Sequence, residues 1–139
     1  MTVMGIMLKA NEMRIVTLTG TRTAHELINP KFNKLAVDKH PQQAEVKILI
    51  EQISQYCDAN NIEKVVINRR STTGQGAGGA GTFLLEGALL ATLKPAIVFI
   101  HPATIRATDK REVDHKSAKP KTVDLGKAYD LAYESLALN

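Results

Sequence analysis

The residues with the most chemical potential lie between Asn68 and Gly81, in "NRRSTTGQGAGGAG". Asn68 brings a neutral amide, Arg69 and Arg70 bring two permanent cations, and five of the chain's nine glycines follow. Gly74-Gly76-Gly79 and Gly76-Gly78-Gly81 both match G-x-G-x-x-G, a spacing that lets backbone N–H groups cradle a phosphate. Two nucleotide fingerprints nevertheless fail. A dinucleotide fold needs its first glycine close after a strand and an acid at the end of the next strand. Here Arg69 to Thr73 intervene, and the next strand ends in Ile100-His101. A Walker A loop needs Gly-Lys-Ser/Thr, and this loop has no lysine. What remains is a cationic, glycine-rich loop leading into a helix, which suits an anion.

Other chemistries are poorly supplied. Cys57 is the single cysteine, so an internal disulfide and a Cys-rich zinc site are excluded. It falls on an apolar helical face and reads as a small core residue. His25, His40, His101 and His115 lack close metal-ligand spacing. The formal net charge is +4, which favours anionic partners. Three Phe, three Tyr and no Trp leave little material for stacking bases.

These residues need elements to position them. A length of 139 residues suits one domain, 1–139, with its own core. "TVMGIML" (2–8), "MRIVTLT" (13–19) and the weaker "TRTAHELI" (21–28) read as a β-meander. Pro30 to Pro41 reads as a polar connection. Val46, Leu49, Ile50, Ile53 and Cys57 then form one apolar stripe on a helix running from Pro41 to about Ala59. "KVVIN" (64–68) reads as a short buried strand, and "AIVFI" (96–100), after Pro95, as a fifth strand. Between them, Thr82 to Leu93 is a helix apolar nearly all round, which implies deep packing. "HPATIRAT" reads as a short helical turn opened by Pro102. Arg106 to Lys121, with six basic and three acidic residues, reads as a solvated loop. A last helix starts near Asp124, a suitable cap. The most apolar window, Thr82 to Ile100, is split by Glu86 and Lys94-Pro95, so no membrane span is expected. "MTVMGIMLKA" lacks a basic leader, and a cytoplasmic protein is expected.

The order β-β-β-α-β-α-β-α predicts an α/β fold with a five-stranded mixed sheet ordered 3-2-1-4-5 and helices on both faces. That order resembles the RNase H-like superfamily. So do "GIMLKANEMRIVTL" at the start, "PATIRA" after the fifth strand and "KAYDLAYESLA" in the closing helix. The RuvC-type resolvase and YqgF-like branches are the most similar. The opening and "GTFLLEGALL" also resemble a small bacterial family known only as a domain of unknown function.

The resemblance implies where active members hold two divalent metals: a carboxylate in strand 1, a second at the end of strand 4, a third on the final helix. Those positions correspond here to Met7, Asn68 and Asp130, with Glu134 one turn on. Two of the three carboxylates are therefore missing, and a catalytically degenerate domain with no cofactor is expected. Asp130 and Glu134, at i and i+4, read as a solvated acidic face offset by Lys127.

Strands 1, 4 and 5 would end on one sheet edge, where open α/β sheets bind ligands. That edge receives Lys9, Asn68, Arg69, Arg70, His101 and Arg106, while Gly76 and Gly78 add backbone donors. The expectation is a site for nucleic acid or another phosphate-bearing ligand, read without base specificity. Two alternatives stand beside it. One is a magnesium-dependent nuclease with a rearranged site on Asp130, Glu134 and Glu12. The other is a homo-oligomeric scaffold with no ligand. The segment 71–81 is expected to be poorly ordered without a ligand.

Overall fold

A computed structural model describes residues 1–70 and 79–139. β1 (Thr2–Lys9) and β2 (Glu12–Gly20) pair antiparallel from Thr2↔Thr19 to Lys9↔Glu12. The turn between them, Ala10-Asn11, puts Ala10 at φ 53°. β3 (His25–Ile28) continues the meander on β2. It is shorter than the expected 21–28, because Thr21 to Ala24 close a tight turn through Thr21 N–H on Ala24 C=O (3.0 Å). β4 (Lys34–Ala36) also pairs with β2, a sixth strand inside what reads in sequence as a polar connection. Its three residues are too few for alternation to show, and its place comes from the Glu12↔Ala36 register.

α1 (Gln43–Ala59) follows, then β5 (Lys64–Asn68), α2 (Ala80–Thr92) and β6 (Ala96–Ile100). β5 pairs parallel with β1, and β6 parallel with β5. The sheet order is β3-β2-β1-β5-β6, with β4 paired to β2 off this path. β5 and β6 are the fourth and fifth strands of the sequence reading, so the expected 3-2-1-4-5 order holds and β4 is the addition. α3 (Pro102–Glu112), a 3-10 turn at Val113–His115, and α4 (Val123–Glu134) complete the chain.

The period-2 pattern of the strands sorts side chains to two faces. Met4, Ile6, Leu8, Val65 and Ile67 meet Leu49, Ile53 and Cys57 of α1 and Leu85 and Leu89 of α2. Val3, Met7, Val16, Leu18 and Val66 meet α4 on the opposite face. α4 lies unusually close to the sheet at Gly5, where a Cβ would fall 2.0 Å from Ala128 O. Only glycine permits that approach.

Three local expectations are corrected. α2 does not pack deeply all round: Thr82, Leu85 and Leu89 are buried, but Leu90 is 52% exposed. Its nearly uniform apolar composition hid which face meets the sheet. Asp124 does not cap α4; Thr122 is the N-cap residue, and Asp124 pairs with Lys9 instead. Arg106 to Lys121 is not a solvated loop, since α3 runs to Glu112 and Lys116 is buried. Pro102 starts α3 with its φ preset, and the His101 imidazole accepts from Ala103 N–H (3.1 Å). Lys116 and Lys119 pair with Asp130 of α4, a relation that composition cannot display. The expectation of a poorly ordered 71–81 falls largely on residues 71–78, outside the described residues. Among the described residues, no helix is long and apolar enough to cross a membrane.

Candidate anion-binding site

β1, β5 and β6 run parallel, so Met7, Asn68 and Ile100 arrive at one sheet edge. There they open onto a cavity of about 510 Å3. Strand alternation puts Met7 and Asn68 on the α4 face, and Asp130 of α4 joins them in the lining. The three positions of the superfamily's carboxylates thus converge in space, although two carry no acid. The lining also takes Arg69 and Arg70 after β5, His101 and Arg106 at the start of α3, and Lys127 of α4. Ile105 and Leu131 add apolar wall.

Several details set the electrostatics. Arg70 Nε is buried and has no hydrogen-bond partner among the described residues. Arg69 holds its guanidinium carbon 4.0 Å from the centre of the Phe99 ring, a cation–π contact with a side chain that packs against the α1–α2 face of the sheet, opposite the face of Met7 and Leu131. Arg69 N–H donates to Ile100 C=O (2.9 Å), tying the strand ends together. The N-terminal end of α3 faces the cavity through His101 and Pro102, and its dipole favours negative charge there. Lys9 is not among the lining residues; its ammonium lies 3.4 Å from Asp124. Gly76 and Gly78 lie outside the described residues.

The acids are already occupied. Asp130 Oδ1 accepts from Lys116 Nζ at 2.8 Å, and Oδ2 accepts from Lys119 Nζ at 2.9 Å. The Lys116 side chain is 1% exposed and also reaches Asp109. Asp130 is therefore buried and doubly paired, not part of a solvated acidic face, and Lys127 is not its partner. Glu134 Oε2 pairs with Arg22 at 3.2 Å, and its Oε1 accepts from Thr108. Arg22 continues to Glu112 at 2.9 Å. Glu12 pairs with Arg14 and Lys34 at the start of β2. Burial works against ionisation of Glu12, but those two cations outweigh it and hold the carboxyl below its usual range.

The nearby phenols are structural. Burial, with Glu112 beside it, pushes Tyr133 up to about 12, and burial likewise raises Tyr129. His25 Nδ1 faces Arg22 C=O, so it carries the proton, and Nε2 accepts from the Tyr129 hydroxyl. Both phenols stay protonated at neutral pH and offer no base.

The residues present do not fit the two-metal centre that the fold implies. Met7 offers a soft thioether where magnesium needs hard oxygen. Asn68 Oδ1 is committed to Leu8 N–H at 2.9 Å. Asp130 has a lysine on each oxygen. Among the described residues no group of three or more His, Cys, Asp or Glu converges to hold a metal. The sequence pointed to the absent carboxylates; it did not reveal Lys116, Lys119 or the lining role of Lys127 and Ile105. A buried lysine inside a charged stretch carries no local signal.

Comparison with solved structures places the fold. A structure of Thermus thermophilus RuvC superposes with TM-score 0.75 at 12% identity, covering 96% of this chain and 92% of that one. T. thermophilus RuvC in complex with a Holliday junction substrate gives TM-score 0.72 at 13% identity, over 96% and 90%. Fowlpox virus resolvase, solved with Holliday junction DNA, gives 0.51 at 8% identity, over 96% and 95%. The fold is RNase H-like, of the RuvC type. No curated protein matches the chain. Residues 1–135 match a family described as a protein of unknown function, DUF3010, and the chain belongs to that family.

Proposed function

We propose that this chain binds the phosphate groups of nucleic acid, without metal and without cleaving them. One observation carries the reading. The sheet-edge cavity is lined by Arg70, Arg106 and Lys127, with Arg69 at its edge, while the carboxylate that shares it, Asp130, is neutralised by two lysines. A phosphate entering there meets guanidinium donors suited to paired oxygens. It meets no uncompensated carboxylate among the described lining residues. The RuvC and resolvase structures with the same fold were solved with Holliday junction DNA, which makes nucleic acid the first ligand to test.

The reading is tested by fluorescence anisotropy with labelled single-stranded and branched DNA, with EDTA present. Binding should be sequence-tolerant and should fall steeply between roughly 50 and 200 mM salt, because counterion release drives it. An absence of binding at the lower salt would reject it. Cleavage that requires magnesium or manganese and is lost in Asp130→Asn would replace it with the nuclease reading.

A further inference from the structure

The cavity holds more than a phosphate site requires. Phosphate is won by charge and donors, and a backbone contact can be made on an open cationic surface. Here most of the surface lining the cavity is apolar, and its volume, about 510 Å3, far exceeds what a phosphate fills. Met7 and Leu131 form the floor, and Ile100 and Ile105 the walls. Ile100 and Ile105 are half-buried, so apolar surface stays in contact with water when the cavity is empty. Covering such surface is favourable in proportion to its area. An apolar concavity with a few convergent polar groups is the usual form of a small-molecule site.

We infer that the ligand is a nucleoside phosphate unit, with its phosphate on the arginine rim and its base and sugar against Met7, Ile100, Ile105 and Leu131. This rests on the reading of the cavity as a phosphate site. The polar groups match such a ligand. Arg70 has a buried Nε without a partner among the described residues, and Arg106 adds a second guanidinium for phosphate oxygens. Asn68 has its oxygen committed to Leu8, so it presents its amide NH2 as donor to an acceptor on the base edge. The aliphatic walls can contact a base face without an aromatic partner, which suits a chain with so few aromatic residues. The same unit could be a free nucleotide or the unpaired end of a strand.

The test is a titration series by calorimetry on the full chain: inorganic phosphate, ribose 5-phosphate, four nucleoside 5′-monophosphates, and a 5′-phosphorylated pentanucleotide. The nucleoside monophosphates should bind at least about tenfold more tightly than phosphate, with ribose 5-phosphate between, as expected for added apolar burial. Ile105→Ala should bring nucleotide affinity to within about threefold of phosphate affinity measured on the same variant. The wild-type series needs no variant to fold. A pentanucleotide tighter than the monophosphates places the unit at a strand end; the reverse order makes it a free nucleotide. Equal affinity for phosphate and nucleotides overturns this inference and leaves the phosphate reading standing. No binding by any member, together with no binding of longer DNA, overturns both.

Discussion

Lys116 places its ammonium 2.8 Å from Asp130 Oδ1, with the lysine side chain almost wholly buried. This pair occupies the end of the sheet for which the resemblance in sequence implies a carboxylate. The lysine also lies 4.9 Å from the centre of the Tyr133 ring, so the segment after α3 is pinned to α4 by charge and by an aromatic face. Asp130 serves here as a structural anchor.

Replacing Lys116 should leave Asp130 with Lys119 as its remaining cation and strip the partner from its buried Oδ1. Lys116→Met is expected to destabilise the chain by about 1–3 kcal/mol, since a buried carboxylate oxygen loses its hydrogen-bond partner while Lys119 still offsets the charge. Asp130→Asn in the same background should recover part of that loss. Urea denaturation of the single and double variants measures both, and a loss below about 1 kcal/mol for Lys116→Met would show that Lys119 alone compensates Asp130.

The arginine rim should dominate the salt dependence of nucleic-acid binding. Arg70→Ala with Arg106→Ala should weaken binding to all sequences alike and flatten the log–log salt slope by about one to two. Lys9→Ala should leave the slope nearly unchanged, because Lys9 pairs with Asp124 away from the cavity lining. Anisotropy at several salt concentrations separates the two variants. An equal effect of Lys9→Ala would move the site toward the β1–β2 turn.

Gly5 is the tightest point of the α4–sheet contact. Gly5→Ala would drive its Cβ against Ala128 O and Ala132 N, backbone atoms that cannot swing aside. A loss of about 3 kcal/mol or more is expected, at or beyond the upper end for overpacking. Thermal unfolding of the variant against wild type checks it, and a shift of only one or two degrees would show that α4 can slide.

Glu12 has its folded-state pKa lowered, so its contribution to stability is present above the unfolded value and disappears as pH falls through the folded value. Glu12→Gln should therefore cost up to about 1 kcal/mol at pH 7, and the gap to wild type should close on acidification below the ordinary carboxylate range. Denaturant midpoints at pH 7, 5 and 3 give the comparison. A gap that persists at pH 3 would assign the effect to packing rather than charge.

Much of the framework was legible in the residues themselves. Alternation in 13–19, the stripe Val46 to Cys57 and the short apolar runs 2–8, 64–68 and 96–100 bounded by turn residues are all local properties. Together with short turns and right-handed crossovers they determine which strand ends share the sheet edge, and so bring Asn68, Arg69, Arg70 and Arg106 to one place. The loss of carboxylates at Met7 and Asn68 is equally a matter of residue identity. The tertiary structure alone decided how the remaining charges are matched. Lys116 and Lys119 lie 14 and 11 residues before Asp130, but Pro120 and the start of α4 intervene, so no continuous element relates them. Their pairing exists only because α3 and the turn after it fold across α4. Lys9 and Lys127 are alike as sequence, yet one meets Asp124 and the other lines the cavity. Charge pairing at these distances depends on where the backbone comes to rest, and no local pattern records that.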